Sequence, residues 1–228
     1  MKSPKFEEVT SAQCPVTTVE RHVLALVTGH WSLALLVVCC LSLTSSVYAE
    51  EFVISHFNKR TNELGGNSSV YQQAPSRAMV TLVSEGSVDP GGKALKIDYD
   101  KKATGGPYGK GGWCGFYTLL KRGDEYFDAS AFKTLHFWVK GAKGDENFKV
   151  GLADKQWDQL GDSVKSEDIG KYLPAGKITT DWQQATIPLE TFYLDATELA
   201  SIVIAFEHDC FPGGAGQGTV TIDEMVLK

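Results

Sequence analysis

Residues 132–154 (FKTLHFWVKGAKGDENFKVGLAD) alternate apolar and polar positions on both sides of a glycine- and charge-rich turn. Leu135, Phe137 and Val139 fall on one face of the first segment, and His136, Trp138 and Lys140 on the other. After the turn, Phe148, Val150 and Leu152 repeat the pattern against Lys149, Gly151 and Ala153. A side-chain period of two marks strands with one buried face. Similar runs occur at residues 52–57, 78–83, 94–99, 113–119, 177–189, 202–206 and 218–227, most of them separated by turn residues such as GSVDPGG and TGGPYGKGG. Short strands at this spacing predict an all-β, antiparallel sandwich or barrel. Residues 157–173 are polar and read as a loop or a short helix. Residues 195–200 (DATELA) read as a helical turn capped by Asp195, three positions ahead of Glu198.

The N-terminal pattern differs. Residues 24–43 are almost wholly apolar and lead into SSVYA before Glu50, with Arg21 and His22 in front. This predicts a signal peptide with an extended N-terminal region over residues 1–49, cleaved after Ala49. A retained membrane helix is the rival reading. Cleavage predicts a secreted or periplasmic protein with no membrane span, its remaining residues 50–228 forming a single domain.

The formal net charge is −6, with no basic stripe, so nucleic acid is excluded as a partner. Two cysteines follow the leader, Cys114 and Cys210. An exported chain with an even count suggests a Cys114–Cys210 disulfide, and two buried thiols are the alternative.

Catalytic signals are absent from the sequence. There is no HExxH, GxSxG or P-loop, and the histidines after the leader, His56, His136 and His208, are scattered. Glu207, His208 and Asp209 are adjacent, so on a strand they point to alternate faces. Asp154 and Asp158 form an acidic pair that nothing else marks as a hydrolase site.

The aromatic residues carry more. A sugar offers a flat C–H face to a ring and hydroxyls to polar side chains, so a sugar-binding face needs exposed Trp or Tyr beside polar groups. Trp157 lies in a polar segment (DKQWDQ), Trp113 and Tyr108 in the glycine-dense stretch, and Tyr71 after a Gly-Gly turn. Tyr117 and Trp138 alternate away from apolar neighbours, while Trp182 reads as a structural residue before an edge strand. For each of these rings, filling the core is the competing role. Asp223 in the last strand is a candidate ligand for a structural calcium ion, against a plain strand-end polar role.

The segments FNKRTNELGGN, FKTLHFWVKG with NFKVGLAD, DWQQATIPLETF, LASIVIAFE and GTVTIDEMVL, in this order, resemble the galactose-binding-like jelly rolls of carbohydrate-binding modules. The likeness is to family 11 modules and intermediate-associated-protein-30-like domains, and covers nearly all of residues 50–228. It implies a two-sheet antiparallel jelly-roll sandwich without catalytic activity. It further implies a β-glucan or similar polysaccharide lying across one concave sheet, with carbohydrate-binding residues among Tyr71, Trp113, Tyr117, Trp138, Asp154 and Trp157. A separately encoded glycoside hydrolase or a surface protein is the partner such a module would work beside. The opening strand, Ile54-Ser55-His56-Phe57, departs from the family in lacking the acids that would support a terminal calcium site. The alternative is an exported assembly or surface protein that uses the same jelly roll to bind another protein. A small jelly-roll enzyme is a third reading, weakened by the lack of a convergent acid/base set.

Overall fold

The alternating segments form eleven strands in two antiparallel sheets, in a computed structural model that describes residues 51–228. The leader and its cleavage point after Ala49 lie outside the described residues. In chain order the strands are β1 Phe52–Ser55, β2 Ser68–Gln72, β3 Arg77–Val83, β4 Ala94–Lys101, β5 Cys114–Leu119 and β6 Thr134–Gly141. They continue as β7 Lys149–Asp154, β8 Val164–Asp168, β9 Gln183–Pro188, β10 Leu199–Phe206 and β11 Gly216–Leu227, with one α-helix among the described residues, α1, at Lys155–Leu160. One sheet has six strands in the order β3-β4-β11-β6-β9, with β1 on β11, and the other runs β2-β5-β10-β7-β8.

The two strands that define the sequence pattern do not pair with each other. β6 belongs to the six-stranded sheet and β7 to the five-stranded one, so the turn between them crosses from sheet to sheet. Their apolar sets face each other instead. Leu135, Phe137, Val139, Phe148, Val150 and Leu152 are all buried, and the Phe137 and Phe148 rings stack at 6.4 Å. Tyr99 of β4 likewise stacks on Phe206 of β10 at 3.9 Å. These contacts across the layers hold the sandwich together. A fully buried Phe contributes about 1.5–3 kcal/mol through burial, and complementary packing adds to that.

β10 (LASIVIAF) is buried at every position, which a period of two does not anticipate. Ile202, Ile204 and Phe206 enter the core, while Ser201, Val203 and Ala205 alternate to the opposite side and are buried there as well. The polar stretch after β7 resolves into α1, β8 and a 3-10 turn, Ile169–Tyr172. Asp195 caps the turn Ala196–Glu198 by accepting from the Thr197 amide at 2.9 Å.

Cys114 and Cys210 are both free thiols, which corrects the expected disulfide. Cys114 points into the core opposite Phe206 in the β5–β10 register, while the Cys210 thiol turns toward the Ala205 carbonyl at 4.0 Å. Burial pushes both thiols up to about 12, which removes the reactive thiolate at neutral pH. The intact mass of residues 50–228 is therefore expected to be the same before and after reduction, with two alkylations appearing only after denaturation. A 2 Da gain on reduction without those alkylations would contradict this.

Candidate functional site

The two outer faces of the sandwich differ. On the six-stranded sheet, Trp138 pairs with Gln184 of β9 and Asp223 of β11. This face is partly occupied by the protein's own β3–β4 loop. Ser87 Oγ and the Val88 amide both donate to Asp223 Oδ2, at 2.7 and 2.8 Å, and Trp182 Nε1 donates to the Gly86 carbonyl at 3.0 Å. Lys140 Nζ stands 4.7 Å from the centre of the Trp182 ring. Trp182 thus fastens a loop, as its place before an edge strand suggested.

On the five-stranded sheet the register brings three aromatic residues into one stripe. Tyr71 pairs with Gly115, Ser69 pairs with Tyr117, and the Gln73 amide continues the ladder to the Trp113 carbonyl at 2.8 Å. Cys114 and Phe116 point inward, so Trp113, Gly115 and Tyr117 share the outward side. Positions two apart on a strand are about 7 Å apart, so the stripe presents one ring every step along the sheet edge. Tyr71 and Tyr117 are partly exposed, and Trp113 is 38% exposed.

Glycine decides how these side chains lie. A Cβ on Gly115 would come within 2.6 Å of the Tyr71 hydroxyl oxygen and 2.1 Å of the Ile204 carbonyl, so only glycine lets the Tyr71 ring lie down on β5. Across the sheet, a Cβ on Gly151 would meet Ser163 Oγ at 2.6 Å and Lys165 Cδ at 3.1 Å. The Lys165 stem therefore lies over β7 as Tyr71 lies over β5, with Val203 of β10 between them.

The polar groups around this face are organised as well. Lys165 Nζ donates to Asp162 Oδ1 at 3.0 Å and to Ser163 Oγ at 2.8 Å, and Lys149 Nζ donates to Asp209 Oδ2 at 2.5 Å. Burial raises the Tyr71 phenol well above its ordinary range, and the negative charges of Glu207 and Asp162 add to this. The hydroxyl thus stays protonated as a donor throughout the physiological range. The Lys149 hydrogen bond holds Asp209 below its usual value. A depressed carboxylate contributes stability above its unfolded pKa of about 4, and loses it as pH falls through the lower folded value.

The six residues proposed from sequence divide by location. Tyr71, Trp113 and Tyr117 come together. Trp138 stands on the opposite face of the molecule, because β6 lies in the other sheet. Asp154 is buried and its carboxylate is engaged by backbone, taking the Trp157 amide at 3.0 Å and the Asp195 amide at 2.9 Å. Trp157, partly exposed, sits in α1 at the end of the sheet opposite Trp113. Sequence reasoning missed Gly115, Gly151 and Lys165; recognising β2 and β8 as strands is the signal that leads to them.

Asp223 does not fit a calcium ion. It is fully buried, and both oxygens already accept hydrogen bonds, Oδ2 from Ser87 and Val88 and Oδ1 from the Glu224 amide at 2.9 Å. A cation would have to displace these donors. Among the described residues no three acidic, His or Cys groups are placed to hold a metal, and no helix is long and apolar enough to cross a membrane. Asp223→Ala is expected to lower stability by about 1–3 kcal/mol by leaving buried donors unpaired. Urea denaturation checks this, and the loss should be the same with and without calcium.

The family model described as carbohydrate binding domain 30 matches residues 51–228. The crystal structure of a family 30 carbohydrate-binding module is 19% identical, with a TM-score of 0.55 over 79% of this chain and 88% of that one. The family 30 module of a cellulosomal cellulase of Clostridium thermocellum is 20% identical, with a TM-score of 0.52 over 78% and 97% of the two chains. The family 11 module from Clostridium thermocellum, solved with a β-1,3-1,4-mixed-linked tetrasaccharide, is 14% identical, with a TM-score of 0.54 over 78% and 94%. No curated protein matches the chain. At these identities the structural likeness establishes the jelly-roll fold.

Proposed function

This chain belongs to the carbohydrate binding domain 30 family, and from that membership we propose that it is an exported, non-catalytic module that holds a β-glucan chain against the outer face of its five-stranded sheet. The observation that carries the reading is the stripe of Trp113, Tyr71 and Tyr117, with Tyr71 laid flat by Gly115. Flat rings take the apolar faces of successive sugars, and the side chains around them take the hydroxyls. Lys165, Ser163 and Asp162 supply donors and acceptors on one side, and Glu207, Lys149 and Asp209 supply them at the Trp113 end. Two of the carboxylates on this face, Asp162 and Asp209, are already paired with lysines. The Asp154–Asp158 pair lacks a free acid, since Asp154 caps α1. These features support a surface that binds and releases rather than one that cleaves.

Export rests on the apolar leader before Glu50 and places the module where polysaccharide is met. An array of plant, fungal and bacterial polysaccharides, probed with residues 50–228, tests the reading. Binding to β-glucans, with a shift in tryptophan fluorescence, is expected. Silence across the whole array would transfer the same face to a protein partner.

A further inference from the structure

Two tyrosines remain outside the stripe. Tyr108 is 88% exposed and Tyr193 is 95% exposed, the highest values among the large apolar and aromatic side chains described. Both also occupy left-handed backbone, with φ of 62° for Tyr108 and 45° for Tyr193. A bulky residue in this region costs of order 1–3 kcal/mol and persists only where its surroundings impose it. Exposed rings gain little from burial that could offset such a cost, so packing does not account for either residue.

Each ring rides on backbone that a buried charged group holds in place. Below Tyr108, Lys101 is 1% exposed, and its ammonium donates to the carbonyls of Lys102 at 2.8 Å and Lys110 at 2.6 Å, the two ends of the loop. Ser76 Oγ takes the Lys102 amide at 2.9 Å and donates to the Gly111 carbonyl. Below Tyr193, Asp154 is 7% exposed and joins the Asp195 amide to the Trp157 amide. Burial lowers Lys101, so keeping its charge beneath the loop has an energetic cost.

The topology sets these two residues apart in a defined way. The Tyr108 loop runs into Trp113 and lies against residues 74 and 75, at the β2–β5 side of the five-stranded sheet. The Tyr193 turn is tied to the last residue of β7, at the opposite end and toward the opposite edge. The line between them crosses the sheet obliquely, over strands about 20 Å long.

We infer that Tyr108 and Tyr193 are outlying aromatic subsites that extend the binding face beyond both ends of the sheet, with Lys101 and Asp154 as their positioning residues. The inference rests on the sugar-binding reading above. It makes the module selective for the length of a glucan chain: a trisaccharide reaches only the central stripe, whereas a long internal stretch engages the outlying rings.

The test compares calorimetric affinities of the mature chain for a β-glucan trisaccharide, a hexasaccharide and the soluble polysaccharide. Tyr108→Ala and Tyr193→Ala are each expected to weaken polysaccharide binding by roughly five- to tenfold, the scale of one lost aromatic contact. Trisaccharide affinity and melting temperature should stay unchanged. Asp154→Ala should lower the polysaccharide-to-trisaccharide affinity ratio, and add nothing when combined with Tyr193→Ala. If wild type gains affinity with length and both tyrosine variants keep that gain, the inference is overturned while the sugar-binding reading stands. It is overturned equally if they weaken trisaccharide binding as much as polysaccharide binding. Failure of wild type to bind any of the three glucans removes both readings.

Discussion

Tyr117→Ala is expected to weaken β-glucan binding by at least thirtyfold, on the order of 2 kcal/mol, as removal of an anchoring ring does. Tyr117 closes the stripe at the end away from Trp113, with Ser69 and Val203 as its register partners. Its inward neighbours Phe116 and Thr118 carry the packing, so truncation on the outer side should leave the fold intact. Tyr71→Ala should weaken binding by a similar factor, but for a further reason. The ring lies across Gly115, and its removal leaves a bare strip of backbone where the flat platform had been. Calorimetry with a soluble mixed-linked β-glucan checks both, with circular dichroism to confirm folding. Unchanged affinity in both variants would remove the stripe from the site.

The largest effect on stability is expected from Phe137→Ala. Phe137 is fully buried in β6 and meets Phe148 of β7 across the two layers. Truncating a buried Phe costs about 3–5 kcal/mol, because the cavity left behind cannot fully collapse. Against a total stability of about 5–15 kcal/mol this is a large share. Denaturant unfolding should show a lower midpoint with little change in slope. A loss below about 1 kcal/mol would mean that the two sheets do not depend on this contact.

What the sequence reveals depends on which residues face inward. The alternation in β4 and β6 comes from one face meeting the core, and it is visible because the other face carries Lys, Asp, His and Trp. The pairing of strands is not visible in the same way. Nothing in residues 132–154 distinguishes a hairpin from a crossover, since both need a turn and both bury the same positions. That ambiguity concealed the separation of Trp138 from Tyr71. β2 and β8 were harder still to see. Both are edge strands of five residues, SSVYQ and VKSED, without enough apolar positions to show a period. They nonetheless carry Tyr71 and Lys165, which form the two sides of the face. Asp154 illustrates the converse. A carboxylate beside a tryptophan reads as a sugar ligand, yet the residue starts a helix and its oxygens go to backbone amides. Cys114 and Cys210 are likewise counted easily and paired wrongly, because an even number says nothing of direction.

The account claims that sugar lies on one named face of the sandwich. Hydroxyl-radical footprinting of residues 50–228, with and without saturating β-glucan, tests this most directly. Protection at Trp113, Tyr71 and Tyr117, with no change at Trp138 or the exposed Met79 on the other sheet, is the result the account predicts. Protection at Trp138 with Tyr71 and Tyr117 unchanged would contradict it.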